Sequence, residues 1–154
     1  MDYASLLIEL QLYLKDAFTY VEAVKICRYH PSNFPVFDKY CILISPAWKE
    51  RKSISNRTKE TTCGINIICI VRNYHPSLSI IGQLPPEIGF LKMIDDITAH
   101  LFEFGKDNES NLTVFYNELD RHIDFKSKDM EREDFYHEIT LPYQVKLKPE
   151  TFQI

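Results

Sequence analysis

Glycine is scarce in this chain, four residues in 154, at positions 64, 82, 89 and 105. None is spaced to cradle a phosphate, so no nucleotide-binding loop is present. No Gly-x-Ser-x-Gly elbow occurs, which removes one setting for a nucleophilic serine. Long apolar runs are also missing. The longest early run, Leu6-Leu7-Ile8, is broken by Glu9, far short of the roughly 18 residues a spanning helix needs. Met1-Asp2-Tyr3-Ala4 has no basic segment of the secretory type, so a soluble protein retained in the cytosol is expected, with no membrane partner. The sequons at Asn56, Asn108 and Asn111 are then chance matches. A basic surplus is absent too: 18 Lys and Arg stand against 22 Asp and Glu, a net charge of −4. That balance argues against a free-standing nucleic-acid binder, though not against passing contact with DNA.

What remains is an ordinary globular composition, 45% apolar and 26% charged, in a length suited to a single domain, residues 1–154. The periodicities predict an α+β fold: a mainly antiparallel sheet packed by two amphipathic helices, with a projecting β-hairpin arm. Residues 2–16 read as the first helix, with Asp2 as its cap. Tyr3, Leu7, Leu10 and Leu14 recur at helical spacing, widened by Leu6 and Phe18. Residues 21–29 alternate as a strand, and His30 to Pro35 forms a loop punctuated by two prolines.

Residues 39–48 and 61–74 predict the next two strands. Tyr40, Ile42 and Ile44 share a face, as do Cys63, Ile65, Ile67, Cys69 and Val71. Ile68 and Ile70 make the second face apolar, which places this strand centrally, covered on both sides. Between them, Lys49 to Glu60 is polar, basic on balance and too long for a tight turn, so it reads as the extended arm. His75 to Gly82 is irregular, and Pro85-Pro86 sets up a second helix over 87–104, with Pro86 in its first turn. Phe90, Ile94, Ile97, Leu101 and Phe104 line it, and Gly105 reads as its stop. A short strand follows at Leu112, Val114 and Tyr116, then a charge-rich connection over 120–134. From Phe135 to Leu147 apolar residues keep period two, the mark of a half-buried antiparallel strand. Pro142 implies that this strand is an edge or carries a bulge.

Candidate chemistry is thin. Cys27, Cys41, Cys63 and Cys69 match no zinc template and read as buried small hydrophobes. No two of the five histidines sit at metal-binding helical spacing. His100 reads as facing the polar side of its helix, and His137 as a core or interface histidine. Asp95 and Asp96 are adjacent and point apart, so they are no carboxylate pair. A small metal module built on Cys41, Cys63 and His137 is the enzyme-class alternative. No catalytic residue, cofactor or metal is expected. Trp48, at the base of the arm, suits either an interface anchor or the rim of the core.

The order helix, strand, long hairpin, helix, strand, strand resembles the tail-terminator and tail-completion family of long-tailed phages. Three stretches carry the resemblance: Phe37 to Ile44 after the Pro-bounded loop; Ile65 to Val71 leading to Ile94-Asp95-Asp96-Ile97 and Leu101-Phe102; and Val114-Phe115-Tyr116 with Tyr136 to Tyr143. It covers nearly the whole chain in architecture and texture, without a diagnostic motif. The resemblance implies a homohexameric ring at the head-proximal end of the tail in the virion, made in the host cytoplasm. It would bind the tail-tube protein on one face and a head-completion protein on the other. Trp48, Lys49, Arg51, Lys52, Arg57 and Lys59 of the arm, with Pro142 and Tyr143, are then expected at contacts with neighbours or tube. Glu131 and Asp134 are expected either to face a DNA channel or to coat a loop. A head-side connector or stopper, or a non-viral protein-binding adaptor, are the other structural readings.

Overall fold

The computed structural model of the chain describes residues 1–28, 39–72, 80–81, 88–119, 123 and 136–151. Helix α1 spans Tyr3–Ala17, and Asp2 is its cap: the Asp2 carboxylate accepts the Ser5 N–H at 2.7 Å, satisfying a donor the helix itself leaves open. That bond holds the carboxyl below its usual range. The stripe read from the sequence is the buried one, with Leu6, Leu7, Leu10, Leu14 and Phe18 inside. Gln11 Nε2 donates to the Val24 carbonyl at 2.8 Å, tying α1 to the sheet.

The strands are β1 (Ala23–Ile26), β2 (Tyr40–Ser53), β3 (Thr58–Arg72), β4 (Leu112–Asn117), β5 (Tyr136–Leu147) and β6 (Glu150–Thr151). Their order across the sheet is β1-β2-β3-β5-β4, with β6 beside the arm half of β3. β1 lies parallel to β2; every other pairing is antiparallel. β3 is central, as its two apolar faces predicted. One face carries Tyr40, Ile42, Ile44, Ile65, Ile67, Cys69 and Val71, with Ile139, Leu141, Val145 and Leu147 of β5, and α1 and the helix Phe90–Asp107 pack on it. The other holds a smaller buried cluster of Ala23, Cys41, Leu43, Ile68 and Ile70, to which no helical residue among the described ones belongs.

Helix α2 spans Phe90–Asp107 and buries Phe90, Met93, Ile94, Ile97, Leu101 and Phe104. It starts and ends three residues later than expected. Gly105 is therefore not its stop. Gly105 lies in the last turn, where an added Cβ would come within 3.1 Å of the Phe115 ring. Close packing of β4, not a left-handed cap, is what glycine serves there. Asn108 ends the helix instead, its side chain donating to the Phe104 carbonyl at 2.9 Å. Pro85-Pro86, the His30–Pro35 loop, residues 75–79 and 82, and nearly all of the 120–134 connection lie outside the described residues.

The position of β5 also corrects an expectation. Pro142 does not mark an edge strand, because β5 runs between β3 and β4. Nor is β5 the bulged strand: the register shifts fall in β2, at Ala47, and in β4, at Thr113. The missing N–H is accommodated by position. The Pro142 carbonyl accepts Glu118 N–H at 2.9 Å, so its backbone faces the β4 side just where β4 ends. Pro46 in β2 follows the same rule. Ile44, two residues earlier, presents its carbonyl to Cys27, so Pro46 faces the β1 side beyond the end of β1. Each proline sits where the neighbouring strand has run out.

Candidate functional site

The arm is an ordered ladder. Pairing of β2 with β3 continues past the body through Lys49↔Cys63, Glu50↔Thr62, Arg51↔Thr61, Lys52↔Glu60 and Ser53↔Lys59. The turn closes with Ile54 and Ser55 N–H groups donating to the Thr58 carbonyl and the Ser55 hydroxyl accepting Thr58 N–H at 3.1 Å. Tyr40 to Ser45 of β2 are buried, and Pro46 to Ser53 are all exposed. The strands thus run on beyond their predicted ends, because backbone pairing persists after hydrophobic burial stops.

At the root of the arm β2 carries one extra residue. Pro46 pairs with Ile65 and Trp48 with Gly64, leaving Ala47 as a bulge. The bulge reverses which backbone groups face β3. Trp48 lays its indole over Gly64: a Cβ on Gly64 would fall 2.1 Å from Nε1 and 2.6 Å from Cδ1. Only glycine leaves room for that ring. On the other side, Tyr3 Oη donates to the Gly64 carbonyl at 2.7 Å. Burial pushes the Tyr3 phenol up to about 12, aided by Cys63 and opposed by a backbone hydrogen bond with Ala47. Helix α1, bulge and arm are therefore locked at one point.

The arm charges are sorted by face. Cross-strand partners share a face, so Lys49, Arg51 and Lys59 lie together with Ser53 and Thr61. Glu50, Lys52 and Glu60 lie on the opposite face, where Glu60 pairs with Lys146 at 3.3 Å. The Lys59 ammonium donates to the Ser53 hydroxyl, bridging the two strands. Arg57 sits in the exposed turn. Trp48 stays 41% exposed, with its ring lying over Gly64 on the sheet surface.

Tyr143, grouped with Pro142 as an edge contact, is a core residue instead. It is 4% exposed, with its ring 5.2 Å from Phe115, so it offers no side chain to a partner. Glu131 and Asp134 lie outside the described residues.

The structure disperses the metal-module candidates. Cys63 stands in the ladder beside Val145, and His137 beside Val71. About eight residues of strand separate those rows, roughly 26 Å. Cys41 pairs with Ile70 on the other face. Among the described residues no three His, Cys, Asp or Glu side chains are grouped to hold an ion. Burial raises the thiols, Cys41 to about 12 and Cys63 to about 11, so neither is poised as a thiolate. His100 does not face the polar side of α2. Its ring lies 4.9 Å from Phe18 and 6.5 Å from Tyr13, in the seam between the helices. Sequence periodicity missed this contact because it depends on where α1 lands.

Among the described residues no helix is long and apolar enough to cross a membrane. No protein-family model matches the chain, and no curated protein matches it significantly.

Proposed function

We propose that this chain is a structural virion subunit that caps the head-proximal end of a phage tail tube. Six copies would form a ring that ends tube polymerisation and offers its other face to a head-completion protein. The observation that carries this reading is the arm. Residues 49–60 hold five cations against two carboxylates, in a chain whose net charge is −4. The remainder of the chain is therefore strongly acidic, and the arm of one copy is complementary to the body of the next. A solvent-exposed hairpin of opposite charge is a device for contact between subunits, and modest contacts repeated around a ring add through avidity. The reaction is assembly: no bond is made or broken, and DNA would meet the ring only in passing through its channel.

Electron microscopy of particles from cells carrying a nonsense mutation in the gene tests the reading. Over-long tubes detached from heads are expected. Tails of normal length lying beside filled or leaking heads would move the protein to the head side of the joint. Normal virions would sink the phage assignment altogether.

A further inference from the structure

Two edges of the sheet are open among the described strands, and they match. Beyond Ile44 no described strand pairs with the outer side of β2, leaving Trp48 to Ser53, six exposed residues. At the far side β4, Leu112–Asn117, is also six residues long and pairs only with β5 among the described strands. Each edge carries one exposed aromatic, Trp48 at 41% and Tyr116 at 47%. Both stand in one row across the sheet: Trp48↔Gly64, Gly64↔Gln144, Gln144↔Tyr116. They therefore share a face, and the Tyr116 hydroxyl is steadied by donating to Gln144 Oε1 at 2.9 Å.

We propose that subunits join by continuing the sheet, the open β2 edge of one copy pairing antiparallel with the β4 edge of the next, Trp48 beside Tyr116. This rests on the ring reading and names its contact. Backbone direction supports the register. Ile54 donates across to Thr58, so even-numbered residues after the bulge face β3, and Lys49 and Ser53 present N–H and C=O outward. Glu118 donates to Pro142, so even-numbered residues of this part of β4 face β5, and Phe115 and Asn117 point their backbone groups outward. Placing Trp48 opposite Tyr116 sets Lys49 opposite Phe115, outward groups meeting outward groups. Trp48 and Tyr116 then form the non-hydrogen-bonded pair, where side chains approach most closely, and aromatic pairs stabilise a ladder there. β2 and β4 run in opposite directions within one sheet, so identical copies placed side by side with the same face outward meet antiparallel. The contact is heterologous and closes as a ring, which covers both of these strand edges. In that register the cationic arm tip would lie toward the segment before β4 of the next copy, which carries Asp107 and Glu109.

The test uses the full chain with Cys27→Ser, which removes the one native thiol that is not buried. Trp48→Cys and Tyr116→Cys are made in separate chains, mixed and oxidised with diamide. Within one chain the two positions are three strand spacings apart, about 14 Å, well beyond disulfide reach, so a cross-link joins copies. A covalent heterodimer is expected from the mixture, and a ladder ending at the ring number from the double variant. Lys49→Pro removes an outward N–H and spares the β2–β3 ladder; it should fold and stay monomeric by native mass spectrometry, whereas Lys49→Ala should assemble. A ring without the cross-link, or full assembly by Lys49→Pro, would overturn the shared sheet and leave the ring reading standing. A chain monomeric at every concentration reached would overturn both.

Discussion

The two halves of the β2–β3 hairpin share one ladder and little else. In the body half, Tyr40 to Ser45 face Asn66 to Val71 across buried contacts, with two helices on one face. In the arm half, Pro46 to Ser53 are exposed, and the hairpin is held by backbone pairing, a turn closed by Ser55 and the ion pair of Glu60 with Lys146. The contrast separates the half that stabilises the fold from the half that the proposed ring would use. Burial concentrates folding energy in the body, and the arm is left to carry charge and an edge that no described strand covers.

Removing the arm should have the largest effect on assembly and little on folding. Replacing Arg51–Thr61 by Asn-Gly leaves Glu50 and Thr62, an existing cross-strand pair, closed by a favoured two-residue turn. Rings should vanish in the electron microscope while the thermal midpoint moves by only a few degrees. In the body, Ile67→Ala should cost about 3–4 kcal/mol in urea unfolding, because Ile67 is fully buried at the centre of the sheet. A cost below about 1 kcal/mol, well under the usual range for such a truncation, would show that this half does not bear the folding energy.

The junction should respond in between. Gly64→Ala must displace the indole of Trp48, at about 1–3 kcal/mol. Trp48 is the only tryptophan, so its emission should shift to the red. Tyr3→Phe deletes the bond to the Gly64 carbonyl and should cost about 1 kcal/mol, leaving the emission unchanged. The smallest effect belongs to Asp2→Asn. The folded Asp2 carboxyl lies below its ordinary value of 3.8. Its contribution is therefore complete above that pH and fades as pH falls through the folded value. Wild-type helicity, followed by circular dichroism in an acid titration, should show a small loss in that window. Asp2→Asn should lack this step, because the amide keeps the cap without titrating.

Much of this was legible from residue order. The α1 stripe, the Asp2 cap, the doubly apolar β3 and the alternation of Ile139, Leu141, Val145 and Leu147 all reappear as burial. Of the arm, its existence and charge were legible and its paired length was not. The bulge at Ala47 and the match between Trp48 and Tyr116 were hidden, because they depend on which strand lies opposite which.

Residue order was enough to specify the main elements, their buried faces and the charge contrast between arm and body. These follow from local spacing, since a helix or strand presents the same residues on one side wherever it docks. Other outcomes came from packing in three dimensions: β1 runs parallel, β5 is interior despite Pro142, Gly105 makes room for Phe115 and Gly64 for Trp48, and His100 fills a helix seam. Those outcomes rest on contacts between residues far apart in the chain. Local periodicity says which face is buried, not what covers it.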